Sequence, residues 1–358
     1  MKSHHQKKFA TLRAWNRKRN YFFKSLRMNF ARWIWDRRSK KEFVLKKGAT
    51  ILLLRDDGKI GDMIVSTSLI RELNKNGYIV DILATANNVI AIKYNPYIRN
   101  IHILDEQGHA PTLVANKYDL VIDMGDKISP SSLRFLLSIN TQNVVGFNKE
   151  KYNIYNKSIS FKGFQEHITT RYSLVMSVLN LSNYNTSYDL FYPEEIEPEI
   201  EGFLKDLPGS KNIIINPFAA DSKRELSLDQ LQLLFEKLKH RLPEYNIIYL
   251  DPQNKITDSG YQGVYKNPFA SLFSAMVLIK HSDLVISPDT SIVHIAAAYR
   301  KPLVALYGND MHGKYENKKT WGPGYPEAVQ LLTQDKYHPI STIDVDEIIK
   351  SAQDIIRK

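Results

Sequence analysis

The chain contains no cysteine. This absence excludes disulfides, thiolate metal sites and cysteine nucleophiles, and it is typical of proteins from a reducing compartment. The sequence also lacks an apolar run long enough to span a bilayer, and it lacks the apolar core and small-residue cleavage site of a secretory signal. We therefore expect a cytoplasmic protein.

Several catalytic motifs are missing as well. The chain has neither the three-glycine dinucleotide fingerprint nor the lysine of a P-loop followed by Ser or Thr, and it has no Gly-x-Ser-x-Gly elbow. Nicotinamide chemistry, P-loop chemistry and covalent hydrolysis therefore lose support. No histidine pair stands at ligand spacing near Asp56, Asp57 or Asp289, so no metal site is predicted.

Acidic residues are scarce at the start of the chain. Residues 1–47 hold sixteen Lys or Arg and two acidic residues and so carry +14, which leaves −3 for the rest of a chain whose net charge is +11. The nearly neutral body argues against clefts built for a polyanion. Nucleic-acid binding through the basic start therefore ranks low, and no nucleic-acid partner is expected.

The same start is rich in aromatic residues. Apolar residues recur at three- and four-residue steps, flanked by cations, which predicts an amphipathic helix. These residues are Leu12, Trp15, Phe22, Leu26, Phe30 and Trp33. Cationic helices with tryptophans lie on anionic membrane surfaces, so we predict such a surface as the partner of residues 1–47. The alternative is that this stripe packs on the body.

From residue 49 onward, apolar strands alternate with helices, which is typical of parallel α/β sheets. Strands are predicted at Ala49–Arg55, Ile79–Ala84, Asn100–Leu104, Tyr118–Met124, Asn143–Phe147, Asn212–Asn216, Asn246–Asp251, Asp283–Ser287 and Pro302–Tyr307. Helices are predicted at Asp62–Asn76, near Asn88–Tyr94, near Ser131–Ser138, and at Glu166–Leu179, Ser227–Arg241, Phe269–His281, Thr290–Tyr299 and Asp344–Ile356.

An acidic, proline-bearing segment at Tyr192–Pro198 indicates a connection between two domains. We predict a leader at residues 1–48, a Rossmann-like domain at 49–190 and a second one at 191–358. The last helix is a candidate to pack back on the first domain. Ligands are expected where the carboxyl ends of the strands face a shared cleft.

The turn after the first strand brings Gly58, Gly61 and Asp62 to the start of a helix. The glycines suit a tight bend and close approach to a ligand, while Asp62 is either a helix cap or a base directed into the cleft. Taken alone, this turn favours the cap.

The segment Asp283–His294 runs from a buried strand into a polar cluster and a helix. Asp289, Thr290, Ser291 and His294 would surround a helix start, whose free N–H groups and positive dipole end attract anions. The predicted guest is a phosphate. A histidine held in the core is the alternative reading of His294.

A second cationic group follows the strand that ends at Asn216. Lys223 and Arg224 could pair with a diphosphate held at the other helix start, or they could be solvated loop residues. With Asp62 in the opposite half, the set suits direct displacement at a sugar carbon. That reaction needs one carboxylate to take a proton and fixed positive partners for the departing nucleotide diphosphate.

At this point the chain resembles glycosyltransferase family 9, the lipopolysaccharide heptosyltransferases. The resemblance rests on Gly61-Asp62 after the opening strand, on Asn216-Pro-Phe-Ala-Ala with Lys223, and most specifically on Asp289-Thr-Ser-Ile-Val-His-Ile-Ala-Ala-Ala298 leading to Lys301-Pro-Leu-Val-Ala-Leu-Tyr-Gly308. It covers residues 50–324. The layout, with its basic start, is especially similar to the outer-core enzymes of enteric bacteria.

The resemblance implies a GT-B fold, inversion at the anomeric carbon, and no need for a metal or cofactor. It assigns the catalytic base to Asp62 and the phosphate-contacting lysine to Lys223. It also assigns the diphosphate loop to Asp289, Thr290 and His294.

Three departures from the family pattern stand out. Ser291 replaces the usual glycine, a common tryptophan after the lysine is absent, and Asp251 or Asn254 would have to replace the acid that holds the ribose. On the acceptor side, Gly61, Arg55, Lys59 and Arg134 are candidates for contacts with anionic core groups.

The leading hypothesis is an inverting transferase that moves heptose from ADP-heptose to a lipopolysaccharide core sugar. We expect it to lie peripherally on the inner face of the bacterial inner membrane. One alternative keeps the fold but uses another nucleotide sugar in outer-core or O-antigen synthesis. Another is a catalytically silent binding module.

Overall fold

The computed structural model describes residues 2–115, 117–256 and 262–357. Its first half contains a long helix followed by alternating strands and helices. These elements are α1 (Lys2–Trp35), β1 (Thr50–Leu54), α2 (Ile60–Lys75), β2 (Ile79–Thr85), β3 (Asn100–Leu104), β4 (Leu120–Asp123), α3 (Pro130–Ile139), β5 (Asn143–Phe147), β6 (Lys157–Ile159) and α4 (Thr169–Val178).

The second half repeats the alternation. Its elements are α5 (Ile196–Lys205), β7 (Lys211–Ile215), α6 (Leu228–Arg241), β8 (Tyr245–Tyr249), β9 (Val264–Lys266), α7 (Leu272–Lys280), β10 (Leu284–Pro288), α8 (Ser291–Ala298), β11 (Leu303–Tyr307), β12 (Met311–His312), β13 (Tyr315–Glu316), α9 (Asn317–Thr320), β14 (Ala328–Leu332) and α10 (Val345–Ile356).

Each half has one six-stranded parallel sheet, and the two sheets share one topology. The strand orders are β3-β2-β1-β4-β5-β6 and β9-β8-β7-β10-β11-β14. In such doubly wound sheets the strand order reverses beside the first strand, and a ligand crevice opens there at the carboxyl ends. The reversals lie between β1 and β4 and between β7 and β10.

Helices cover both faces of these sheets, which explains the nearly continuous apolar strands. All five residues of β10 and of β11 are buried, as in sheets packed on both sides. The core of the first half continues across the interface, because α2 packs on α8 of the second half. The two sheets are therefore joined beside the crevice as well as through the chain.

The structure departs from the sequence predictions at several elements. The helix expected near Asn88–Tyr94 is a single 3-10 turn at Val89–Ala91, and the strands β6, β9 and β14 were not predicted. Each of these strands lies at a sheet edge, and β6 and β9 have only three residues. Helix α10 packs on α6, β11 and β14 in its own half rather than on the first half. The domain boundaries remain a prediction.

Among the described side chains of helix α1, those near its carboxyl end pack on the body. Within α1, side chains are described from Trp15 onward, except at position 17, so Leu12 lies outside the described side chains. Ala31 is buried against the cluster that contains Leu133 of α3. Beyond the helix, Asp36 is buried, and its carboxylate accepts hydrogen bonds from the backbone N–H groups of residues 153 and 154 at 2.8 and 2.7 Å.

Among the described helices, none combines the length and the apolar character that crossing a bilayer requires.

Candidate active site

A cavity of about 820 Å³ lies between the two halves. Its wall on the first half comes from the turn and helix start after β1, at residues 58–62, together with Asn87. The opposite wall comes from the loops that follow β7, β8 and β10 and from residues 310–321. The cavity thus sits where both strand orders reverse, as expected for a ligand site in two facing sheets.

Arg55, at the end of β1, organises the first wall. It is 4% exposed, and its Nη2 lies 2.8 Å from Asp57 Oδ2 and 2.9 Å from Asp62 Oδ1. The other oxygen of Asp62, Oδ2, lies 4.0 Å from Nζ of Lys59. Arg55 therefore pairs with one carboxylate oxygen of Asp62, and the other oxygen makes the longer contact with Lys59.

The charged groups of this turn shift one another's pKa values. Burial opposes the charge on Arg55, but the acidic groups beside it outweigh burial and raise its pKa. Burial raises the pKa of Asp57, and Arg55 partly offsets that effect. Burial and the charge of Asp123 raise the pKa of Asp56. Arg55 thus remains a permanent cation beneath a group of carboxylates.

The second wall is built around the start of α8. Thr290 is the N-cap, and its hydroxyl accepts a hydrogen bond from the N–H of Ile292 at 3.3 Å. Asn216, after β7, donates from Nδ2 to Oγ of Ser287 at 3.1 Å and to Oγ1 of Thr290 at 3.0 Å. The N-cap is therefore held in place from a neighbouring strand, and the helix start opens onto the cavity with Ser291 in its wall.

Arg224 is a cation that lies beside this helix start. Its Nη1 donates to the backbone oxygen and to Oδ2 of Asp289, both at 3.1 Å. Burial raises the pKa of Asp289, and Arg224 counters that effect. Lys223 lies next to Arg224 in the 3-10 turn Ser222–Arg224. Its side chain is exposed and does not contribute to the described cavity wall. Of the two predicted cations, the geometry brings Arg224 to the cavity.

His294 lies one turn into α8 and is 4% exposed. Burial, and secondarily His167, lowers the pKa of His294 to about 3, so the ring is neutral near pH 7. Its Nδ1 has no hydrogen-bond partner among the residues that the structure describes. The ring packs edge-on to those of Tyr188 and Trp321, with centroid distances of 6.0 and 6.3 Å.

The same ring lies directly against the first half at Gly61. A Cβ built on Gly61 would come within 2.9 Å of Cδ2 of His294. A Cβ at this separation would force the ring or the backbone to shift, which gives a structural reason for glycine next to Asp62. The contact therefore sets how closely Asp62 approaches the start of α8.

Two further predicted site residues, Asp251 and Arg134, do not contribute to the described cavity wall. The carboxylate of Asp251 is buried and accepts hydrogen bonds at 2.9 Å from the backbone N–H groups of Lys255 and Ile256. It also lies 3.5 Å from Nζ of Lys266, so it organises its own loop. Arg134 is exposed on α3 and is not part of the cavity wall.

The sequence interpretation missed several residues of the wall, and Trp321 is the largest of them. It follows α9, and the ammonium of Lys59 lies 5.9 Å from its ring centroid across the cavity. Asp310 and Asn317 approach from the same segment. One signal was available: Trp321 is the only tryptophan outside the leader. Its position within a loop hides this role from pattern analysis.

Within the described part of the chain, one group of side chains has metal-ligand spacing, and it lies outside the cavity. It consists of Glu197, Glu201 and His281. Lys280 and His281 already bind the carboxylate of Glu197, and Lys280 lowers the pKa of that carboxylate to about 2. This group is accounted for by its own ion pairs.

Two Rossmann-like halves, each with one parallel sheet and with a cavity between them, form the GT-B fold. A model of glycosyltransferase family 9 (heptosyltransferase) matches residues 267–338. That segment contains the strand β10, the helix α8 and Trp321.

Comparison with known proteins agrees with this family. The "Putative lipopolysaccharide heptosyltransferase 4" of Escherichia coli K12 is 26% identical over 357 residues, which cover 96% of this chain and 97% of that protein. A family 9 glycosyltransferase from Veillonella parvula superposes with a TM-score of 0.71 at 17% identity, covering 87% of this chain and 98% of that one. E. coli heptosyltransferase WaaC with ADP superposes with a TM-score of 0.65 at 16% identity, and the match covers 86% of this chain and 99% of that one.

The resemblance to glycosyltransferase family 9 read from the sequence is thus confirmed by the family model and by relatives named as lipopolysaccharide heptosyltransferases.

Proposed function

We propose that the protein is an inverting heptosyltransferase that transfers heptose from ADP-heptose to a lipopolysaccharide core sugar. Support comes from the similarity to proteins named as lipopolysaccharide heptosyltransferases and from a solved relative with ADP. The observation that carries the proposal is the placement of Asp62 and the start of α8 on opposite walls of one cavity.

Asp62 is the proposed base. Because Arg55 binds Oδ1, the oxygen Oδ2 is the one available to take the proton of the acceptor hydroxyl. The acceptor oxygen attacks the anomeric carbon, the new C–O bond forms, and the bond between that carbon and the diphosphate oxygen breaks. Its electron pair leaves with ADP. Attack from the side opposite the leaving group inverts the configuration.

The second wall is proposed to hold the departing diphosphate. The N–H groups at the start of α8 and its dipole favour negative charge, and the hydroxyls of Thr290 and Ser291 lie beside them. Arg224 adds a guanidinium next to this helix start. These groups can stabilise charge that develops on the leaving oxygen without a metal ion. The role of Lys223 as a phosphate contact remains a prediction.

The donor base and sugar are the less constrained part of the proposal. The carboxylate of Asp251 already accepts hydrogen bonds from backbone N–H groups of its own loop, so we do not assign it to the ribose. A thermal-shift panel of nucleotide sugars would test the donor, because a ligand at a hundred times its Kd stabilises by about 2.7 kcal/mol. ADP-heptose should give the largest shift. A larger shift with another nucleotide sugar would replace it as donor.

The decisive test of mechanism is Asp62→Asn, with Asp57→Asn as the matched control. Both carboxylates bind Arg55, but only Asp62 is the proposed base. We expect Asp62→Asn to lower kcat by about 10²- to 10⁴-fold with nearly unchanged donor Kd, and Asp57→Asn to cost much less. Wild-type turnover by Asp62→Asn would disprove the assignment. An NMR assignment of the product anomer would test inversion.

The acceptor would be carried by the membrane in which lipopolysaccharide is assembled. We propose peripheral association of the protein with the inner face of that membrane, on the ground of its basic, aromatic first helix.

A further inference from the structure

Helix α1 has two apolar faces that point in nearly opposite directions. With 3.6 residues per turn, Met28, Ala31 and Trp35 fall on one side, and all three pack against the cluster that includes α3. Trp15, Phe22, Leu26, Phe30 and Trp33 fall within roughly 80° of one another on the other side. We call this second set the outer face. A helix that only packs on a body needs one apolar face, and α1 has a second.

The outer face is open. Its five side chains are between 48% and 63% exposed, and Phe23 beside it is 55% exposed. The stripe that the sequence suggested could pack on the body therefore does not do so within the described residues. Contiguous exposed aromatic side chains of this extent mark an interaction surface.

The charge of α1 has a single sign. The segment Lys2–Trp35 contains no Asp or Glu. On the helical wheel, Arg19 lies within the outer face, and Lys18 and Arg27 flank it. Arg19 and Arg37 lie over the rings of Trp15 and Trp33, at 5.2 and 4.1 Å from the ring centroids. The outer face thus combines amphipathic aromatic rings with cations, and no carboxylate of α1 opposes an anionic partner.

The carboxyl end of α1 is fixed to the body. Arg37 donates from Nε to the backbone oxygen of Trp33 at 2.6 Å and so closes the last turn. The buried carboxylate of Asp36 then binds two backbone N–H groups at residues 153 and 154. The helix is consequently presented by the body at a defined attachment, with its outer face turned away from α3.

From these features we propose that the outer face of α1 docks on an anionic lipid bilayer surface. Trp, Tyr and Phe rings settle at the level of the headgroups, and Lys and Arg beside them contact lipid phosphates. A duplex nucleic acid would use the cations but would leave the apolar stripe exposed to water. A second copy of the chain would bring ten more like charges of α1 into the same interface. A bilayer satisfies both the rings and the charges. The proposal does not depend on the donor or on the chemistry at Asp62.

The test is co-sedimentation of the full-length protein with vesicles. One set contains phosphatidylethanolamine and phosphatidylglycerol in a 3:1 ratio, and the other contains phosphatidylcholine alone. We expect at least tenfold stronger binding to the anionic set, weakened by salt because exposed charges are screened. The variant Phe22→Ser/Phe30→Ser/Trp33→Ser should lose at least tenfold in partitioning.

Two further variants separate the contributions. Lys18→Gln/Arg19→Gln/Arg27→Gln should reduce the preference for anionic vesicles and the salt dependence. Tyr337→Ser removes an equally exposed aromatic ring from the second half and should leave binding unchanged. Because α1 meets the body through its other face, all three variants should retain the wild-type thermal midpoint and the wild-type turnover of a water-soluble acceptor.

Several outcomes would overturn the proposal. If the aromatic triple variant bound vesicles as strongly as the wild type, the aromatic rings would not contribute to binding. Binding to a DNA duplex that competes with vesicles and survives the aromatic substitutions would indicate nucleic acid instead. A concentration-dependent dimer without vesicles, abolished by the same substitutions, would indicate a second copy as the occupant.

Discussion

The contact between Gly61 and His294 makes a sharp prediction, since it joins the two walls of the cavity. In Gly61→Ala, the new Cβ would lie 2.9 Å from Cδ2 and 3.4 Å from Nε2 of His294. Favourable carbon–carbon contacts are about 3.5–4.0 Å, so the ring or the backbone must move by roughly 0.5–1 Å. The ring cannot move freely, because the aromatic rings of Tyr188 and Trp321 pack against it.

The magnitude follows from two opposing effects. Overpacking a well-packed site costs about 1–3 kcal/mol. Replacing glycine by alanine within a helix returns up to about 1 kcal/mol, and less in a first turn such as that of α2. The net penalty is about 0.5–2 kcal/mol. Because it acts where the halves meet, we expect kcat/KM to fall by about 2- to 30-fold, at roughly tenfold per 1.4 kcal/mol.

The assay combines steady-state kinetics with urea unfolding and uses Gly202→Ala as the matched control. Gly202 lies in α5, and a Cβ there would meet no atom within 4 Å. That change should stabilise the protein by about 0.5–1 kcal/mol and leave the kinetics unchanged. In a His294→Ala background, the additional change Gly61→Ala should no longer lower kcat/KM. Unchanged kcat/KM in Gly61→Ala alone would refute the reasoning.

Three other changes have defined outcomes. Thr290→Ala should weaken ADP binding in calorimetry and cost about 0.5–2 kcal/mol, whereas the N-cap change Ser227→Ala in α6 should cost similar stability without altering ADP binding. His294 is neutral in the folded protein down to about pH 3, while the unfolded chain takes up its proton near pH 6.5. The free energy of unfolding of the wild-type protein should therefore fall by up to about 1.4 kcal/mol per pH unit as the pH drops from about 6.5 to about 3. It should fall less steeply in His294→Gln. Urea titration at each pH measures both slopes. Arg224→Gln should raise the ADP Kd more than Lys223→Gln, and the reverse order would restore the lysine assignment.

Much of the fold was predictable because buried parallel strands are read directly from apolar runs. The strand predicted at Asp283–Ser287 is β10 at Leu284–Pro288, and the helix predicted at Thr290–Tyr299 is α8 at Ser291–Ala298. The strands β6 and β9 were not predictable in this way, because three residues at a sheet edge give no periodic signal. The predicted helix near Asn88–Tyr94 is only a 3-10 turn, and a proline follows it at position 96.

The site was predictable in position but not in orientation. Strand ends and helix starts are where ligands are expected, and the three residues chosen for this reason, Asp62, Asn216 and Thr290, line one cavity. Which way a side chain points from a turn depends on the backbone angles of that turn. For this reason the adjacent residues Lys223 and Arg224 could not be ranked, and Asp251 could not be recognised as part of its own loop.

Equal topology in the two halves explains why the cavity walls oppose each other as they do. Both strand orders reverse beside the first strand of the half, and the helix that follows β1, α2, packs on the helix that follows β10, α8. Asp62 lies one residue beyond Gly61 on α2, and Thr290 caps α8, so the Gly61–His294 contact also sets the spacing between the proposed base and the helix start proposed to bind the diphosphate. A substitution that widens this contact should therefore impair the transfer step more than ADP binding alone, because ADP needs one wall and the reaction needs both.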